Sequence, residues 1–152
     1  MLRAACGIAL GYVVMVFFVS ATLSLSFLAL GADRSFRPGT YEVSKIWAFL
    51  TILFILGAAI VGGFLCASVG RSRTAPIVLA ALVLVIGIVG ALLLPPSGDL
   101  GPQPRPGNVG HFEAIQNASR PPWTAWLDPF LAAAGILAGA HLWERSAART
   151  PA

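Results

Sequence analysis

Four long apolar stretches constrain this chain more than any other feature. They run from about Ala4 to Leu30, Ile46 to Val69, Ala75 to Leu94 and Trp126 to Trp143. A hydrocarbon core about 30 Å thick needs about 20 helical residues to cross it, and each stretch is of that order. None carries a charge in its central region. A backbone in lipid must satisfy its own hydrogen bonds, which makes these stretches helices. Alternating segments of a β-barrel are not seen. The expected fold is therefore all-α, a transmembrane four-helix bundle forming one integral membrane domain over residues 1–152, with an extended outer connection over 95–122.

Composition agrees. The chain is 57% hydrophobic and 11% charged, with a mean hydropathy of +0.83. Soluble domains carry roughly 25% charged residues. So few charges cannot cover a globular surface in water. The net charge of +4 comes mostly from arginines scattered between the apolar runs. They form no basic patch interleaved with aromatics, so nucleic acid is not an expected partner and the lipid bilayer is.

Local signals set the ends of the spans. The first is too long for a signal peptide, whose apolar region covers about 7 to 15 residues, and is read as an uncleaved helix. Ser44 is placed to cap the second helix, with Trp47 one turn in. Pro76 suits a first helical turn. Trp123, Trp126 and Trp143 bracket the fourth helix as interfacial aromatics do, and Pro129 is expected within its first turn.

The stretch "VGGFLCASVGRSRTAP", from Val61 to Pro76, places a doubled glycine inside an apolar run. Ala58, Gly62, Gly63 and Ala67 fall at helical spacings, giving small-residue ridges along one side of the second helix. Gly7 and Gly11 in the first helix, Gly87 in the third, and Gly135 and Gly139 in the fourth offer similar faces. Small residues let helix backbones approach closely. Such faces serve either dimerisation or packing within one bundle, and four of them suit the bundle.

Arg71 and Arg73 mark the cytoplasmic side. With both chain ends inside, basic residues divide five against five, but the short loop after the second helix holds two arginines and no acid. Asp33, Glu42, Asp99 and Glu113 all fall on the other side. Density thus places both ends in the cytoplasm. In the outer connection, "HFEAIQNA" has the pattern of a short helix with Phe112 and Ile115 on one face. Asn117, Ala118 and Ser119 form a glycosylation triplet.

Residues able to carry chemistry are few. Cys6 and Cys66 stand alone in apolar runs and read as small buried hydrophobes. Asp128 is a catalytic or ion-binding candidate, and an enzyme would require Asp128, His111 or Glu113 to meet at the outer surface, but Asp128 reads more simply as a cap on the first turn of the fourth helix. Asp128 and His141 lie about 20 Å apart along a helix, too far to act as a pair. Ser20, Ser24, Thr22 and Ser26 make a polar stripe that suits hydrogen bonding to carbonyls better than a pore lining. No catalytic, cofactor-binding or metal-ligating set is expected.

The segments "AAIVGGFLCASVGRSR" and "PPWTAWLDPFLAAAGILAG" resemble those of small, uncharacterised four-helix proteins of bacterial inner membranes. That resemblance implies a multi-pass protein of the inner (plasma) membrane and carries no catalytic residues. The functional expectation is a non-enzymatic accessory or structural component engaging another membrane protein or itself. The alternative is a small oligomeric transporter or channel with Ser20, Ser24 and Thr51 near a polar path.

Overall fold

The computed structural model describes residues 2–93, 113 and 117–149. Four helices make up most of it: α1 (Leu2–Ser35), α2 (Lys45–Gly70), α3 (Thr74–Leu93) and α4 (Pro122–Ala148). Each is long and apolar enough to cross a membrane. Extended pairing among the described residues is confined to two isolated bridges, Phe36 with Val43 and Glu42 with Ser119.

Helix ends follow local chemistry. Gly31, at φ 70° and ψ 172°, is non-helical and kinks α1 after Leu30, and one further turn follows it to Ser35. A side chain would strain that conformation. The Ser35 hydroxyl donates to the Gly31 carbonyl at 2.7 Å and closes the turn. At the start of α2, the Ser44 hydroxyl accepts from the Trp47 amide at 3.1 Å, a side-chain N-cap. α2 ends at Arg71, a left-handed residue (φ 45°) whose amide returns to the Ala67 carbonyl at 3.0 Å. Ser72 and Thr74 then pair their hydroxyls at 2.8 Å as α3 begins.

The fourth helix departs from expectation. It begins at Pro122, four residues before Trp126, because proline suits the first helical position and the Thr124 hydroxyl donates to the Pro121 carbonyl at 2.7 Å. Asp128 and Pro129 consequently lie about two turns inside α4, not in its first turn. Asp128 therefore does not cap the helix. Pro129 has no amide hydrogen, so the Ala125 carbonyl one turn earlier loses its helical donor.

α2 is the middle of the molecule. α1 runs antiparallel along one side of it: Gly7 lies beside Gly70 and Gly11 beside Gly62. α4 runs parallel along another, with Ala59 beside Gly135 and Ile60 beside Gly139. α3 leans mainly on α4 and meets α1 and α2 less extensively. Cys66, Leu79 and Ile136 are fully enclosed in the core with Met15, Ala59, Ala75, Ala80 and Ala132 around them. Cys6 is exposed, contrary to expectation. It precedes Gly7 by about 100° of helical turn, and Gly7, Gly11 and Met15 are the residues that the first half of α1 buries.

Candidate functional site

Two glycine seams fix α2 between its neighbours. A Cβ built on Gly11 would lie 2.8 Å from the Gly62 carbonyl oxygen, and one built on Gly62 would lie 2.9 Å from that of Gly11. The contact is reciprocal. The second seam repeats it: a Cβ on Gly63 would overlap the Ile136 carbonyl, and one on Gly139 would overlap the Ile60 carbonyl. Gly135 abuts the Ala59 methyl, where a Cβ would lie at 2.6 Å. Adjacent helical residues point about 100° apart. Gly62 therefore serves α1 while Gly63 serves α4, so the two small-residue ridges face different helices. Gly7 meets the backbone of Cys66 and Gly70, and Gly87 receives the Pro129 ring.

One end of the bundle holds the start of α1, the turn between α2 and α3, and the end of α4. Arg73 Nε lies 3.4 Å from Glu144 Oε1 there, joining the turn to α4. Arg71 is exposed at the same end, as is His141, whose Nδ1 is 4.0 Å from Glu144 Oε2.

The opposite end carries a built cap. Residues 36–43 form a miniature hairpin around Arg37-Pro38-Gly39-Thr40, in which the Thr40 amide donates to the Arg37 carbonyl at 3.2 Å. Proline at the second position and a left-handed Gly39 (φ 73°) are what a type II turn requires. Arg37 Nη1 and Glu42 Oε2 pair at 2.6 Å across the hairpin. The Val43 amide donates to the Ser119 carbonyl at 3.1 Å, and the Ser119 amide to the Tyr41 carbonyl at 2.9 Å. The cap is thereby sewn to the segment that leads into α4. Underneath, Phe27 packs edge to face with Phe36 and Trp47, Phe36 does so with Tyr41, and Val43 joins the same buried cluster. Tyr41 Oη donates to Glu113 Oε1 at 2.9 Å.

Between this cap and the bundle lies a cleft formed by α2 and the start of α4. Val43, Trp47, Ala48, Thr51 and Ile52 line one side, and Arg120, Pro121, Thr124 and Asp128 the other. It has room for one water-sized particle, about 10 Å³. Asp128 Oδ1 is buried and has no hydrogen-bond partner. Thr51 donates to the Trp47 carbonyl at 2.9 Å, and Thr124 is committed to Pro121. Thr22 in α1 likewise donates to the Phe18 carbonyl at 2.7 Å.

Glu113 is held by Tyr41, Asp128 sits in the cleft, and His111 lies outside the described residues. Phe112 and Ile115 of the expected short helix also lie outside them. Ser20 is exposed on α1, whereas Thr51 is buried in the cleft against α4. Asn117 is exposed, and its side-chain amide donates to the Glu113 carbonyl at 3.0 Å. Among the described residues, no group of three or more His, Cys, Asp or Glu side chains converges. Sequence reasoning missed the cap, although "RPGT" carries its turn signal. No known protein family, curated protein or solved structure matches this chain.

Proposed function

We propose that the chain is a small multi-pass protein of the bacterial inner (plasma) membrane, a non-enzymatic accessory or structural component with both chain ends in the cytoplasm. The observation that carries the membrane reading is the outward surface of the helices. Phe17, Phe49, Leu92 and Phe130, one on each helix, are 73%, 66%, 66% and 55% exposed. Such faces suit lipid and would not remain dispersed in water. Charged side chains gather at the helix ends, and Arg71 and Arg73 favour the cytoplasm for the end that bears them. The resemblance to small four-helix inner-membrane proteins points the same way.

The accessory role draws its support from the cap. An ion pair, a turn and two backbone bridges hold the hairpin and the Ser119 segment in one shape on the outer end. A fixed polar platform above an apolar bundle can present the same surface to a partner without ordering a loop on each encounter. The glycine seams are occupied within the chain, which leaves the outer platform as the surface for another membrane protein. Native mass spectrometry after gentle extraction from the source membrane tests this reading. A stoichiometric partner lost on replacing Arg37 and Glu42 by alanine is expected. A lone chain from the same membrane would contradict it.

A further inference from the structure

The two ends of the bundle differ in charge. Among the described residues, the end holding the α2–α3 turn carries Arg3, Arg71, Arg73, Arg145 and Arg149 against one carboxylate, Glu144. The cap end is balanced, with Arg34, Arg37, Lys45 and Arg120 against Asp33, Glu42, Glu113 and Asp128. Membrane orientation asks only that arginines stand on one side, not that they meet. Here separate helices bring them together. A Cβ built on Gly70 would lie 3.2 Å from the Ala75 methyl, 3.7 Å from Ala4 Cα and 3.9 Å from the Arg3 carbonyl oxygen. Arg3 thus stands beside the turn that begins at Arg71. Arg73, in the same turn, reaches across to Glu144, the neighbour of Arg145.

Local stability does not account for these positions. No acidic residue occupies the first turn of α1 or α3, and Arg3 and Arg73 put positive charge where a helix dipole disfavours it. Arg71 is the one described non-glycine residue with positive φ, at 45°, a conformation that glycine adopts without strain. Arg3, Arg71, Arg145 and Arg149 are exposed, and no carboxylate among the described residues pairs with them. A strained, unpaired arginine among like charges is better explained by a ligand than by the fold.

We propose that Arg3, Arg71 and Arg73 bind the phosphodiester headgroup of an anionic phospholipid in the cytoplasmic leaflet, an inference that rests on the proposed membrane setting. Guanidinium groups match phosphate oxygens two bonds at a time. Val69, Ile77 and Val78 leave apolar side chains exposed close to the turn and supply a wall for the acyl chains. Arg145 and Arg149 widen the positive surface at the end of α4. The Arg73–Glu144 contact is exposed and therefore weak, so it leaves Arg73 able to turn to the headgroup.

The test uses the full chain purified in mild detergent and mixed with equal amounts of phosphatidylglycerol and phosphatidylcholine of matched acyl chains. Native mass spectrometry reads which lipid is retained. The expected result is a preference for phosphatidylglycerol that Arg3→Gln and Arg71→Gln each lower about fivefold, the worth of one arginine near an anionic surface. Arg73→Gln serves as a further variant should Arg71→Gln fold poorly. The charge-matched variants Arg34→Gln and Lys45→Gln, at the cap end, leave the preference unchanged. Equal retention of the two lipids by a chain that needs detergent overturns the lipid site alone. An equal loss in the cap-end variants also overturns it, by reducing the preference to net charge. So does displacement of the lipid by equimolar inorganic phosphate, which assigns the arginines to a soluble anion. A chain that stays monodisperse in water without detergent overturns the membrane setting and this site with it.

Discussion

Gly63 and Gly139 are the positions at which one methyl group has the least room, because each faces a backbone carbonyl of the opposite helix. Backbones cannot move aside as side-chain tips do. Gly63→Ala and Gly139→Ala are each expected to destabilise the fold by about 1–3 kcal/mol, the usual cost of overpacking. Gly90 is the internal control, since nothing lies within 4 Å of a Cβ built there. Gly90→Ala should be neutral or stabilising by up to about 1 kcal/mol through helix propensity. Reversible denaturant titration in mild detergent, followed by circular dichroism, measures all three. Equal losses at Gly63 and Gly90 would contradict the seam. Arg71 offers the opposite case, a residue with a Cβ in a left-handed C-cap. Arg71→Gly should stabilise by about 1 kcal/mol in the same titration. A loss there would show that the arginine contributes more than its backbone strain costs.

Helix existence was legible from hydropathy alone, because spans of this length and apolarity have few other ways to satisfy their backbones. The small-residue faces were legible too, but not their assignment. Gly62 and Gly63 are adjacent, and spacing cannot say that one faces α1 and the other α4. The start of α4 was misplaced because Trp126 looked like its interfacial beginning. The Pro121–Pro122 pair and Thr124 carry the stronger signal, and moving the start earlier put Asp128 inside the helix. The cap escaped notice because its pairing partner, Ser119, is 76 residues from Val43 and no local pattern joins them. Ser44 links cap and helix: its hydroxyl donates to the Arg34 carbonyl at 2.8 Å and accepts from Trp47. Ser44→Ala should cost about 1 kcal/mol, the worth of an N-cap. Hydrogen exchange should quicken first at the Trp47 amide. Unchanged exchange there would show that the cap holds α2 without Ser44.

The molecule as a whole is a middle helix gripped on two sides, with a third partner leaning on α4. In the proposed lipid setting no hydrophobic effect drives helices together, so close backbone approach and dispersion must hold the bundle. That explains why glycines occupy its seams and large apolar side chains its outer surface. The geometry also divides the chain into two ends. One bears Ser72, beside Arg71 and Arg73, together with the end of α4; the other bears the cap.

The most direct measurement of this account is therefore two-sided thiol labelling in intact bacterial cells. Cys6 and Cys66 are first replaced by alanine, and single substitutions Pro38→Cys, Asn117→Cys, Ser72→Cys and Ser146→Cys are made in that background. A membrane-impermeant maleimide should label positions 38 and 117 in intact cells. Positions 72 and 146 should react only after the membrane is permeabilised. Labelling of all four positions in intact cells, or of 72 and 146 alone, would contradict a four-span bundle with its arginine turn in the cytoplasm.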